Sequence, residues 1–340
     1  MLSLQKTEQV FVCAGRPQLR VNLRRGHLFI RGWDGAETRI EGAQGQEVSQ
    51  KGDGIRIDSS RTREIQIYLP RASDVFVDGA GLEVDVGGVH GICSIDIGAA
   101  PINVEDWQGD LEIDGTNGPV RLSRCQGQAE IDMSRGDVEI SSSQGNFRVD
   151  TGAGSVSVLE SSGSLQADTG FGAVTLGRFR GPVHIDTGSG DVVLKEVAGR
   201  NVYVDTGRGN IEAALPGASP GRWQLDAGLG SINLQVPSNT SAHFEFHARH
   251  VDIQDLELDD YRRDGNKVTG DLNQAQGRVI ASSSVGKIFA GKVSSLTVDE
   301  QPPVQDEDFM RILTMLEQGR ISTQEAESLL DALKGGEEYA

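Results

Sequence analysis

The repeats that decide the fold are DTGAGSV at 150–156, DTGFGAV at 168–174, DTGSGDV at 186–192, DTGRGNI at 205–211 and DAGLGSI at 226–232. Each opens on an aspartate: Asp150, Asp168, Asp186, Asp205 and Asp226. The first steps are 18 residues, followed by 19 and 21. A recurrence of this length marks a repeat architecture, in which no unit buries its apolar side alone and each depends on its neighbours.

Working outward, a finer period of nine appears. Val138 and Ile140, Phe147 and Val149, Val156 and Val158, Leu165 and Ala167, Val174 and Leu176, and Val183 and Ile185 are apolar pairs with one residue between. The run begins near Val84 and Val86 and reaches Val192 and Leu194. Residues i and i+2 of a strand share a face, so each pair points inward and the residue between meets solvent. A glycine commonly stands two places before the pair. Two unequal units of this kind make a coil of 18 residues, and coils stack by parallel pairing. Parallel crossovers are overwhelmingly right-handed. The expectation is an all-β parallel β-solenoid, a right-handed β-helix. One corner carries Asp-Thr-Gly, with Gly152, Gly170, Gly188 and Gly207 and the five aspartates as structural turn residues. The other carries a third inward position: Val89, Trp107, Phe179 and Val197, and more weakly Cys125, Ser143 and Ser161. It predicts a short third side.

Composition agrees. Aromatics are 5% and glycines number 44 of 340 residues, which suits thin stacked layers with tight corners. The net charge of −18 disfavours nucleic acid and anionic lipid as partners. Cys13, Cys93 and Cys125 show no metal-ligand spacing, and as reduced thiols they fit a reducing compartment. The opening MLSLQKTEQVFV lacks a basic start followed by an apolar run, and no apolar stretch approaches 18 residues. No signal peptide, no membrane span and a cytoplasmic location are therefore expected.

Residues 1–77 alternate less regularly and read as capping strands and first coils that cover an open edge. Residues 78–298 read as the solenoid. Pro216 and Pro220 mark a bulging loop, Phe244 and Phe246 an enlarged inward pair, and Asp255 to Gly277 a polar excursion. Strand signals return at Val279, Val285, Ile288 and Val293. Residues 299–305 are a linker. Residues 306–335 change to helical period: Phe309, Ile312, Leu313 and Leu316 form one stripe, with Asp306 as N-cap. After Gly319, Ser322 and Glu325 form a capping box ahead of Leu329, Leu330 and Leu333. Such a helical hairpin is too short to stand alone, so it must dock.

These residues carry a resemblance. The G-x-V-x-V-D-T-G-x-G units, with GHLFIRGWDGAETRIEGA before them, resemble the bacterial putative-adhesin β-strand-repeat family of unknown function over residues 10 to 298. That resemblance implies a β-solenoid. The tail FMRILTMLEQGRISTQEAESLLDALK resembles the helical hairpin of envelope-stress proteins of the YvlB and LiaX type. There the hairpin usually precedes the repeat; here it follows. The likeness implies a link to the envelope stress response.

Four candidate chemistries were weighed. DTGSG at 186–190 matches the short motif of pepsin-like proteases, but those need two carboxylates facing across a cleft; turn-forming Asp and Gly account for it here. Asp150, Asp168 and Asp186, continued by Asp132, Asp114, Asp96 and Asp78, form a ladder that a cation would relieve, although solvated aspartates capping backbone N–H groups explain it without one. In HFEFHARH, His243, Glu245 and His247 fall outward, too far apart along a strand for one zinc ion. The outward positions Arg121, Glu130, Glu139, Arg148, Ser157, Gln166, Thr175 and His184 concentrate no acid–base group of the kind a polysaccharide-cleaving β-helix needs.

The sequence thus predicts a non-enzymatic scaffold or regulatory interaction protein without cofactor or metal. A stiff solenoid carries a helical tail that docks on a protein partner or a second copy, so a homo-oligomer is expected. Phe309, Ile312, Leu313, Leu316, Leu329, Leu330 and Leu333 are the contact residues. The alternatives are a filament-forming, bactofilin-like cytoskeletal rod and a surface adhesin or carbohydrate-binding module.

Overall fold

The computed structural model describes residues 8–61 and 63–293. The chain divides into two compact units, Met1–Ser295 and Leu296–Ala340, and all the described residues belong to the first. The linker, the helical hairpin of 306–335 and its seven contact residues lie outside the described residues.

The repeat folds as a stack of parallel coils. Each regular coil has a long and a short strand, as in Gln144–Ala153 with Val156–Leu159 and Ser162–Phe171 with Val174–Gly177. Every long strand pairs in parallel with those 18 residues before and after it: Phe147 lies opposite Ala129 and Leu165. Short strands do the same, with Val156 between Val138 and Val174. Each layer therefore saturates its backbone N–H and C=O groups against its neighbours.

The apolar pairs predicted from period nine all point inward. One inner column runs Val75, Cys93, Leu111, Ala129, Phe147, Leu165, Val183 and Val202. A second runs through Ile95, Ile113, Ile131, Val149, Ala167, Ile185 and Val204, and all of these side chains are buried. Each buried Val, Leu or Ile contributes about 1.5–3 kcal/mol, summed over contacts that no coil makes alone.

The third inward position is real. Val89, Trp107, Cys125, Ser143, Ser161, Phe179 and Val197 are all buried. The two serines are tolerated there because each is satisfied. The Ser143 hydroxyl donates to the Ser141 carbonyl (2.8 Å) and accepts the Cys125 amide (3.0 Å). Ser161 repeats this with Leu159 (2.8 Å) and the Ser143 amide (3.1 Å). The residue before each inward one turns the chain in the left-handed region: Asp106, Arg124, Ser142, Glu160, Arg178 and Glu196 have φ between 49° and 55°.

Asp-Thr-Gly does not form a corner. Asp150, Thr151 and Gly152 lie inside the strand Gln144–Ala153, and Asp168, Thr169 and Gly170 inside Ser162–Phe171. Asp186 and Gly188 fall in Val183–Ser189, Asp205 in Asn201–Thr206 and Asp226 in Arg222–Ala227, while Gly207 follows its strand as a bend. The threonine is a third inward residue of the long strand: Thr151, Thr169, Thr187 and Thr206 are buried. Thr206 donates its hydroxyl to the Gly190 carbonyl at 3.0 Å, and Thr169 donates to Thr187 at 2.9 Å. Internal bonds thus satisfy Thr169, Thr187 and Thr206 in the core column, while the Thr151 hydroxyl is buried without a partner.

At both ends the layers leave sequence order. The strand Gln18–Trp33 lies between Asp74–Gly87 on one side and the pair Gly54–Ser59 and Arg63–Pro70 on the other. The outermost parallel layer is therefore formed by residues 54–70; beyond it lie the antiparallel strands Val48–Lys51 and Glu37–Glu41, with Glu8–Val12 paired on the outer side of Glu37–Glu41. The expected boundary at 77/78 falls inside the strand Asp74–Gly87; before it lie both parallel layers (Gln18–Trp33, Gly54–Ser59, Arg63–Pro70) and antiparallel capping strands (Glu8–Val12, Glu37–Glu41, Val48–Lys51). The other end mirrors this. The layer of Gly277–Ser283 and Lys287–Val293 is inserted between Arg222–Pro237 and the layer of Ala242–His247 and His250–Gln254. The polar excursion is a hairpin, Asp259–Asp264 with Lys267–Leu272, whose second strand covers the edge of Ala242–His247 antiparallel. Val279 and Ile288 are buried, as their strand signals imply, but Val285 is exposed in the turn between them.

Candidate functional site

The long strands form one sheet whose outward side chains make a lattice, one row per coil and three columns across. The C-terminal column is the aspartate ladder. Asp78, Asp96, Asp114, Asp132, Asp150, Asp168, Asp186, Asp205 and Asp226 stand opposite one another in unbroken register. Adjacent strands are about 4.8 Å apart, so the carboxylates repel. Burial, then Glu112, Asp132, Asp96 and Glu130, pushes the Asp114 carboxyl above its ordinary range. Burial, then Asp205, does the same at Asp226.

Among the described residues these aspartates do not cap backbone N–H groups. That work falls to aspartates elsewhere: on the long strands Asp74 accepts the Ile92 amide (3.0 Å), and before the short strands Asp137 accepts that of Ser155 (2.8 Å) and Asp191 that of Asn210 (2.7 Å). The ladder instead takes side-chain donors, with Gln166 donating to Asp168 at 3.0 Å and the Tyr203 hydroxyl to Asp205 at 3.4 Å. No two of the nine face one another across a cleft, because all occupy one column of one sheet; the pepsin-like motif therefore has no partner geometry.

Beside the ladder lies a groove. At Gly109, Gly127, Gly145, Gly163 and Gly181 the chain has φ between 123° and 157°, which bends each long strand just before its first inward residue. A hollow of about 540 Å³ lies over the backbone of Leu111, Ala129, Phe147 and Leu165, whose side chains are buried in the core. Asp110, Gln128, Asn146 and Ser164 form one wall; Glu112, Glu130, Arg148 and Gln166 form the other. A second hollow of about 400 Å³ adjoins it on the next coils, lined by Pro182, His184, Asn201, Tyr203, Arg222 and Gln224. The His184 and Tyr203 rings stack at 4.7 Å, 10° from parallel. Glu130, Arg148, Gln166 and His184 are readable from sequence as outward residues.

Two histidine clusters lie near the ends of the stack. His243, Glu245 and His247 point outward while Phe244 and Phe246 are buried. His243 Nδ1 is 2.5 Å from Asp271 and His247 Nε2 2.9 Å from Glu245. Glu245 also accepts from Lys267 (2.6 Å) and Arg278 (2.8 Å). Hydrogen bonds from Lys267, His247 and Arg278 hold its carboxyl down to about 2. The cluster ties the capping hairpin to the last layers. At the other end His27, Glu83 and Asp85 are close enough together for an ion. However, His27 Nε2 is 2.6 Å from Asp85 and Nδ1 3.8 Å from Glu83. Each carboxylate faces a different ring nitrogen, whereas an imidazole gives an ion only one. The trio is an ion-pair arrangement.

The fold and its lattice define a parallel β-solenoid with one long polar lateral face. Residues 42–288 match the Toastrack DUF4097 family, and the chain belongs to it. Residues 307–338 match a SHOCT-like domain. No curated protein matches the chain. Three solved structures are similar over 85% of this chain. They are a "putative adhesin" from Bacteroides fragilis (12% identity, 98% of that chain, TM-score 0.29) and another from Parabacteroides distasonis (11%, 97%, 0.33). The third is a "putative cell adhesion protein" from Clostridium sporogenes (10%, 100%, 0.15). Overlaps this loose carry no structural conclusion.

Proposed function

We propose that the chain is a non-enzymatic interaction protein. Its solenoid presents the long-strand face to a partner, and its tail holds that partner or a second copy. The observation that carries this reading is the uninterrupted register of the outward columns from Asp78 to Asp226. A rigid surface that repeats in every coil favours recognition by many equivalent weak contacts over chemistry at one point. The SHOCT-like match at 307–338 supports a separate helical element, with Phe309, Ile312, Leu313, Leu316, Leu329, Leu330 and Leu333 as its contact residues. Clustering copies through that element multiplies the avidity of the face. Deleting residues 302–340 is expected to lower the mass measured by light scattering, or to lose a co-purifying partner, while the far-ultraviolet β signal survives. Unchanged mass together with an unchanged pull-down rejects the role of the tail.

The three free thiols, Cys13, Cys93 and Cys125, favour a reducing, cytoplasmic setting for this function. Fractionation of the native host tests it, and recovery outside the membrane overturns the placement.

A further inference from the structure

We infer that the strand Glu8–Val12 is a docking edge for a second copy of this chain. The two strands pair antiparallel about a two-fold axis at Val10, giving a dimer that closes on itself. This goes beyond the role proposed for the tail, because the contact uses none of residues 302–340.

The first observation is which edges are open and how each is protected. Among the described residues four strands pair on one side only: Glu8–Val12, Val48–Lys51, His250–Gln254 and Asp259–Asp264. Natural edges are blunted by charge, short length, bulges or a covering group. Three of the four follow that rule. Val48–Lys51 has four residues and ends on an exposed lysine. Asp259–Asp264 is exposed throughout, irregular in register and charged everywhere but at Tyr261. His250–Gln254 is crossed by Arg263, which donates to the Val251 carbonyl, and its exposed residues, His250 and Gln254, are polar. Glu8–Val12 departs from the rule. Its register with Glu37–Glu41 is unbroken, its one charge is at the first residue, and Val10 and Val12 are 51% and 70% exposed. Gln50 bonds to it at its last residue, donating to the Val12 carbonyl at 2.9 Å.

The second observation is that this edge complements itself. Glu8–Val12 lies antiparallel on Glu37–Glu41, which lies antiparallel on Arg63–Pro70, so one more antiparallel strand continues the pattern. In the register that pairs all five residues, Val10 stands opposite Val10 of the second copy, Gln9 opposite Phe11, and Glu8 opposite Val12. Glu8, Val10 and Val12 share the more exposed face. The valines of both chains therefore gather there as cross-strand neighbours, while the two glutamates sit at opposite ends, about 14 Å apart at strand rise. Parallel pairing in register would instead set Glu8 against Glu8, and like charges directly opposite are destabilising. The two-fold arrangement is isologous, so it consumes the edge and stops at two chains. A pair of five-residue strands is small beside a standard interface of about 1,600 Å², so one substitution at its centre is enough to break it.

The test is light scattering of the full chain with Val10 substituted. The unsubstituted chain is expected at no less than twice the mass of one chain. Val10→Lys sets two like charges on the axis and should halve the mass, as should Val10→Glu, with the far-ultraviolet β signal unchanged in both. Mixing the two variants in equal amounts should restore the mass, because lysine then faces glutamate. Val10→Cys, made on a Cys13→Ser chain, should cross-link to its own copy under mild oxidation, whereas Glu8→Cys on the same chain should not. A full-chain mass of one chain overturns the inference and leaves the edge to a different partner. A mass that Val10→Lys does not lower overturns it by placing the contact between copies elsewhere. It is overturned equally by a loss that the mixture does not restore, which makes the variant a folding defect, and by cross-linking at position 8 as efficient as at position 10.

Discussion

Ser142 shows how the corners are made. It holds φ at 49°, as do its equivalents Arg124 and Glu160 at 53° and 51°, a region that β-branched residues rarely enter. Ser142→Val should therefore destabilise the stack by about 1–2 kcal/mol, whereas Ser142→Gly should cost nothing, both read by urea denaturation. The glycine corner is stricter. Gly127 has φ 131°, and a Cβ there would lie 2.1 Å from the Gly109 carbonyl oxygen of the layer below. Gly127→Ala combines backbone strain with overpacking, a loss of about 3 kcal/mol. A midpoint equal to that of the unsubstituted protein would contradict the stacked-corner geometry. The glycine was legible in the sequence and the sign of its φ was not. Serine, arginine and glutamate at the other corner give no hint of a left-handed turn, because neighbouring layers enforce it.

Among the elements, the aspartate ladder and the capping hairpin respond to pH in opposite directions. The Asp114 carboxyl is raised in the folded chain, so the folded state binds its proton more tightly than the unfolded state does. That contribution favours folding at acid pH and is lost as pH rises through the folded value. Asp114→Asn should raise stability at pH 7 by only a few tenths of a kcal/mol, read as a small rise in thermal midpoint, because the site is exposed and screened. The gain should shrink in high salt and vanish below about pH 4. Glu245, held down to about 2, behaves conversely: its stabilisation is complete above the ordinary carboxylate range and disappears as pH falls through about 2. Glu245→Gln removes the shared charge and leaves one acceptor oxygen for Lys267 and Arg278, with an NH2 group turned toward the other cation. Amide exchange in Ala242–His247 should quicken by the equivalent of about 1–2 kcal/mol, with the distant strand Gln144–Ala153 unaffected. The aliphatic columns behind both elements were readable because Val, Leu and Ile at period two have one physical meaning. Asp-Thr-Gly has the composition of a turn, and only the continued pairing of the long strand through it makes the threonine a third inward residue. The hairpin was hidden for a related reason. Every residue of Asp259–Asp264 is exposed, so no apolar alternation announces the strand.

Across the whole solenoid, the decisive feature is how the stack stops. A regular parallel coil ends in unpaired N–H and C=O groups, and such an edge recruits further strands. Here antiparallel strands cover the terminal layers: Glu37–Glu41 and Val48–Lys51 at one end, and at the other Lys267–Leu272, which covers Ala242–His247 but not His250–Gln254. Arg263 adds a side-chain cap, donating to the Val251 carbonyl at 3.0 Å. The out-of-order end layers serve the same closure, since a chain that runs to the outermost layer and then returns inward leaves its connecting segments free to cover that layer. Sequence could not show this, because the aliphatic pairs of every coil are interchangeable and none specifies its neighbour. Among the described residues these antiparallel strands cover part of each end, so end-to-end polymerisation of the bactofilin kind is expected to be disfavoured. Replacing residues 256–276 by a Gly-Ser linker strips the cover from Ala242–His247. The variant should associate with rising concentration, giving growing mass by light scattering and fibres by electron microscopy, while the full-length chain gives neither under the same conditions. Fibres from the full-length chain would show that the antiparallel strands do not act as stoppers. An uncapped variant of unchanged mass would show that the remaining edge is protected by something other than the hairpin.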